Sequence, residues 1–130
     1  MDGDRYISSG VNIDSGNEVI RLISPIVRDT YTNNVLGDIG GFGGLFALGN
    51  YSEPILVASA DGVGTKLRIA VAMDLMSSIG IDLANHSIND VWVQGADPLF
   101  FLDYIATGNI KPKQIMEIIK GLSIALKIAG

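Results

Sequence analysis

The sequence predicts an α/β layer, a small sheet with helices covering one apolar face. Three observations predict it. Short apolar runs at Leu45–Leu48, Ile55–Ala60 and Leu99–Ile105 alternate with stretches whose apolar residues recur at helical spacing. Clusters of Gly, Pro, Asn and Asp separate the two kinds of segment. Of the 130 residues, 48% are apolar and 18% charged, enough apolar surface to offset the entropy of ordering the chain.

Each element follows from its own pattern. Residues 1–14 read as an extended segment with a turn at Gly10. Ser15-x-x-Glu18 has capping-box spacing, and Val19, Ile20, Leu22, Ile23, Ile26 and Val27 then repeat as a helix that Pro25 kinks or shortens. Gly37–Gly44 is too rich in Gly for a helix and reads as a loop leading into a strand at Leu45–Leu48. Ile55–Ala60 reads as a buried strand ending on Asp61-Gly62, with a helix from Thr65 to Ala72. Ser77 to Gly95 reads as a long helix closed by Pro98, and Leu99–Ile105 as a strand. Lys111–Ala129 completes the chain as an amphipathic helix with Ile115, Ile118, Ile119, Leu122 and Leu126 inward.

Composition excludes several classes of function. Nine Lys plus Arg against 14 Asp plus Glu give a net charge of −5, with no basic cluster to neutralise phosphates, so nucleic acid is not an expected partner. No apolar run approaches the roughly 20 residues that span a bilayer, and Met1–Arg5 lacks a signal-peptide pattern. The absence of Cys removes disulfides, thiolate metal sites and a Cys nucleophile. The expectation is a cytoplasmic domain over residues 1–130. Its apolar excess points to burial against another chain or a further domain.

Three features could carry chemistry. Gly40, Gly41, Gly43 and Gly44 flank Phe42 in a stretch whose backbone amides can cradle an anion, or which forms a flexible hairpin. It lacks the G-x-G-x-x-G order of a dinucleotide fingerprint. Asp61-Gly62-Val63-Gly64-Thr65-Lys66 joins a strand to a helix. There a carboxylate can hold Mg²⁺ and a lysine can meet phosphate, or the segment is an ordinary turn with a solvated Lys. Its order also fails the Walker A pattern. On the long helix, Asp82, Asn85, His86, Asn89 and Asp90 share an arc of about 140°, opposite Ala84, Ile88, Val91 and Trp92. Short Asx side chains are poor helix formers, so this face reads better as a ligating surface than as a solvated one. His86 has no His or Cys companions for a zinc site and defaults to hydrogen bonding or packing. Asp103, between Leu102 and Tyr104, is an outward strand residue or a site carboxylate. Trp92, Phe100 and Phe101 read as core or interface packing. Together the carboxylates, Gly-rich backbone and Lys66 are what a Mg²⁺–nucleoside triphosphate site requires.

In order, Gly10–Asn17, Gly40–Gly44, Asp61–Leu67, Asn89–Ala96 and Pro98–Tyr104 resemble the amino-terminal domain of the aminoimidazole ribonucleotide synthetases, the phosphoribosylformylglycinamidine cyclo-ligases of purine biosynthesis. The Asp90–Pro98 pattern is shared with a wider superfamily of ATP-using enzymes. That superfamily includes formylglycinamide ribonucleotide amidotransferase, selenophosphate synthetase and thiamine-phosphate kinase. The resemblance implies a mostly antiparallel four-stranded sheet with helices on one face, pairing with a second copy into a dimeric β-barrel. It implies ATP and Mg²⁺ as cofactors, with Asp61 and Asp90 at the metal, Lys66 on phosphate and Gly40–Gly44 in the nucleotide region. ATP would phosphorylate the formyl oxygen of formylglycinamidine ribonucleotide, after which the ring closes with release of ADP and phosphate. The matching part of the family is only its first domain, so the expectation for this polypeptide alone is a homodimer without catalysis. No residue is assigned as general base.

Overall fold

The computed structural model describes residues 13–130. The extended segment and Gly10 turn expected over residues 1–14 lie outside it up to residue 12, and Ile13 and Asp14 are already helical. Four helices organise the described chain: α1 (Ile13–Arg28), α2 (Lys66–Met73), α3 (Met76–Trp92) and α4 (Pro112–Ala129). All four were expected from the sequence, within a few residues at each end.

The helices end for identifiable reasons. Because α1 begins at Ile13, Ser15 lies inside its first turn rather than at the cap. Pro25 does not break α1, which continues to Arg28. Proline removes one backbone donor from the ladder there; one residue earlier the Ser24 hydroxyl donates to the Ile20 carbonyl at 2.5 Å. The long helix α3 ends at Trp92, short of the expected Gly95 and well before Pro98. Gly95 has φ +75°, its amide donates to Trp92 O and the Ala96 amide to Val91 O, the two bonds of a Schellman cap. The same pair of bonds ends α2, with Asp74 at φ 55° in the left-handed position.

Helix α4 is central, packed against α3 on one side and α1 on another, while α2 touches α3. One core joins Val19 and Ile23 of α1, Ala84 and Ile88 of α3, and Ile119, Leu122 and Ala125 of α4. Each large aliphatic side chain buried there contributes about 1.5–3 kcal/mol. The α3–α4 crossing is close because Gly80 faces the Ile118–Leu122 backbone and Gly121 faces the Ser77–Ile81 backbone, with no room for a Cβ at either.

The expected sheet is absent among the described residues. Its remnant is one isolated antiparallel bridge, Val35 to Phe46, flanked by bonds from the Leu36 amide to Leu45 O and the Ala47 amide to Asn34 O, both 2.8 Å. Leu45–Leu48 is therefore a bridge and not a strand, and residues 54–63 and 96–107 have no regular structure. The four-stranded antiparallel sheet and the β-barrel built from it are corrected accordingly: this is a helical domain with long irregular connections. The physical reason is that a strand exists only through hydrogen bonds to a neighbour, whereas an apolar run specifies burial and not pairing. The runs within 54–63 and 96–107 pair with nothing among the described residues and leave Ile55 89% and Tyr104 92% exposed. The aromatic residues expected in the core divide. Phe101 packs on its edge, Phe100 stacks obliquely on Phe46 at 5.2 Å, and Trp92 is half exposed.

Candidate functional site

The segment 59–66 is tied to the Asx face of α3 at two points. At one end the Ser59 hydroxyl donates to Asp90 Oδ2 at 2.6 Å; at the other the Lys66 ammonium donates to Asp82 Oδ2 at 2.9 Å. Eight helical residues separate the two aspartates, a rise of about 12 Å, so the segment runs antiparallel to the helix between two pins. Asn85, His86 and Asn89 occupy the face between them. Asn85 and Asn89 are exposed, and His86 Nδ1 is buried with no hydrogen-bond partner among the described residues. The sequence-predicted face is thus a surface on which another segment is fastened.

Between the pins the chain turns sharply. Asp61 Oδ1 accepts the Gly62 amide at 2.6 Å, and Gly64, at φ +68°, turns the chain into α2. Lys66 is the first residue of α2, and Thr65 stands at its N-cap without a side-chain cap bond. The first amides of a helix have no intrahelical acceptor, so Thr65 and Lys66 offer backbone donors beside the Lys66 ammonium. Next to Ser59 and Asp90 lies a cleft of about 490 Å³, lined also by Leu56, Val57, Ala58, Val93 and Gln94. Ser59 was not singled out in the sequence. Its signal was its place two residues before Asp61, on the same side of an extended segment.

The glycine loop is held separately. Arg28 grips Asp38 through both carboxylate oxygens, at 3.0 and 2.7 Å, and Asp38 also accepts the Ile39 amide at 2.8 Å. The bond from Arg28, followed by that from Ile39, holds the Asp38 carboxyl below its ordinary value, and Asp38 in turn raises Arg28. Gly41 donates to Asp38 O, and a Cβ on Gly44 would stand 2.9 Å from Leu102 Cδ2. Gly40 and Gly43 face open space. Among the described residues no hydrogen bond or ion pair joins Gly40–Gly44, or Asp103, to the strip formed by segment 59–66 and α3. Asp103 is exposed as a residue, yet the chain around its carboxyl displaces water and pushes its pKa above the ordinary carboxylate range.

Among the described residues no three His, Cys, Asp or Glu side chains gather as a metal cage. Asp61 and Asp90 are oxygen donors of the type a hard cation such as Mg²⁺ takes. No helix among the described residues is long and apolar enough to cross a membrane.

Comparison with known proteins places this geometry in a family. The chain is 54% identical over 125 residues to a phosphoribosylformylglycinamidine cyclo-ligase of a Thermoanaerobacter species, an alignment covering 96% of this chain and 37% of the relative. Proteins of the same name from Syntrophotalea carbinolica and Geobacter metallireducens are 53% identical over 127 residues and 50% over 130, covering 96% and 98% of this chain. The chain spans 36–37% of the length of these relatives. The family model for the N-terminal domain of AIR synthase related proteins matches residues 44–130. With that match over more than half of its length, the chain belongs to the AIR synthase related protein family.

Proposed function

We propose that this chain is the nucleotide-handling part of a phosphoribosylformylglycinamidine cyclo-ligase, a ligase of purine biosynthesis that uses ATP and Mg²⁺ in the cytoplasm. The observation that carries the reading is the strip itself: Asp61 and Lys66 lie on one segment, and Asp90 on the helix face to which it is tied. Magnesium–ATP, when bound, supplies the phosphoryl group that activates the formyl oxygen of the substrate for ring closure. The chain's own residues position and neutralise. Lys66 and the first amides of α2 offset phosphate charge. Asp61, from the segment, and Asp90, from α3, would hold the cation when it is bound. Gly40–Gly44 belongs to the nucleotide region in this reading, with Asn89, His86, Asp82 and Asp103 as further site residues.

A second copy of the chain is the partner we propose for the exposed apolar side chains Ile55, Leu56, Val57, Phe100, Leu102 and Tyr104. Sedimentation equilibrium checks it. Twice the 13.8 kDa chain mass is expected, and a monomer at all concentrations refutes it.

Calorimetric titration with Mg²⁺ and a non-hydrolysable ATP analogue tests the site. Asp61→Asn and Asp90→Asn are each expected to weaken binding by about 10–100-fold, the scale seen when a metal site loses a supporting group. Binding unchanged by both substitutions removes the metal-site assignment.

A further inference from the structure

We infer that Asp82 is an internal rival for the phosphate-binding lysine: it holds the Lys66 ammonium while the site is empty and yields it to a phosphate oxygen when a polyphosphate binds. The inference rests on the proposed nucleotide site and adds to it a contact that sets its affinity.

Three features of the pair carry the argument. Both partners are reachable, with the Lys66 side chain 43% and the Asp82 side chain 41% exposed, so an incoming anion can meet the ammonium without the core opening. The two differ in mobility. Asp82 stands on α3 among residues locked into the core, with Ile79, Gly80 and Ala84 buried on the same helix. Lys66 carries a four-carbon stem at the first turn of the short helix α2, and its ammonium can swing between acceptors. Any exchange is therefore a movement of the lysine and not of the aspartate.

The third feature is the cost of exchange. A buried carboxylate stripped of its partner resists the loss strongly. Asp82 is exposed enough to regain water when Lys66 leaves, and an ion pair of this exposure shifts an equilibrium by a factor of about one to five. Breaking the contact is cheap but not free. It subtracts a small factor from every polyphosphate that recruits Lys66. The opposite pin differs in kind, because the Ser59 hydroxyl on Asp90 is a neutral donor and holds no cation back. The segment is thus fastened at one end by a bond indifferent to phosphate and at the other by one that phosphate replaces.

The test is a double-mutant cycle read by calorimetric titration with the magnesium complex of a non-hydrolysable ATP analogue and, separately, with inorganic tripolyphosphate. The proteins are the unmodified chain, Asp82→Asn, Lys66→Gln and the double variant, with helix content checked by circular dichroism. Asp82→Ser repeats the measurement should Asn at this helical position alter the fold. Asp82→Asn is expected to tighten both ligands about two- to fivefold, Lys66→Gln to weaken them, and Asp82→Asn to make no difference once Lys66 is Gln. If Asp82→Asn weakens binding or leaves it unchanged while Lys66→Gln weakens it, Asp82 is not a rival and the inference fails while the nucleotide site stands. If Lys66→Gln changes nothing, the lysine does not meet phosphate, and the reading of the site falls together with the inference.

Discussion

Replacing Gly80 with alanine puts the helix crossing under direct test. A Cβ at position 80 would stand 2.7 Å from the Leu122 amide nitrogen and closer still to the Ile118 carbonyl oxygen. All the obstructing atoms are backbone, so no side chain can swing aside. α3 and α4 must separate by about 1 Å, and a gap of that size forfeits a quarter to a half of the dispersion energy of each contact across it. The contacts at risk are those of Ala84 and Ile88 with Ile119, Leu122 and Ala125, which form most of the core. Overpacking of this kind costs about 1–3 kcal/mol, and the upper end applies because main chain must move. That corresponds to a fall in Tm of about 10 °C for a chain of this size. Thermal and urea melts followed by circular dichroism read the change. Gly43→Ala is the control, since a Cβ there meets nothing within 4 Å, and its effect should stay within about 0.5 kcal/mol. A Gly80→Ala protein melting within about 2 °C of the unmodified chain would refute the close crossing.

Two acidic groups give further predictions of opposite sign. The folded-state pKa of Asp38 is held below the ordinary 3.8 by Arg28 and the Ile39 amide, so its contribution to stability is present above pH 3.8 and is lost as pH falls through the folded value. A carboxylate-resolved NMR titration should find Asp38 low and Arg28→Gln should return it towards 3.8; no movement would separate the two groups. Asp103 is raised from 3.8 by desolvation, so stability falls as pH rises from 3.8 through its folded value. Asp103→Asn should flatten urea-derived stability across that window, and an unchanged slope would place the carboxyl in open water.

The helices were legible because their signals are local. Local sequence located α2, α3 and α4 to within a few residues, and the short Asx side chains marked the face to which segment 59–66 is tied. What could not be read is non-local. The runs Ile55–Ala60 and Leu99–Ile105 are apolar enough for strands, but pairing depends on a neighbour that sequence does not specify, and here none is found among the described residues. A glycine inside a helix lowers its intrinsic stability, whereas at Gly80 and Gly121 the missing Cβ permits the close contact between the two helices. The Arg28–Asp38 clamp spans ten residues across a loop, a spacing with no helical or strand period to announce it. In the candidate site, Lys66 pairs with Asp82 and Ser59 with Asp90, about two turns further along α3. Gly40–Gly44 and Asp103 were grouped with them by chemistry alone, and no described hydrogen bond or ion pair joins either to the strip.

The central claim is that segment 59–66 and the face of α3 beneath it receive the phosphates of a magnesium-bound nucleotide. The most direct measurement is a backbone-amide NMR titration of this chain with Mg²⁺ and a non-hydrolysable ATP analogue. The account predicts saturable shifts concentrated at residues 59–66 and 82–90, with the amides of the α1–α4 contact unmoved. Shifts confined to other parts of the chain, or none at saturating nucleotide, would contradict it.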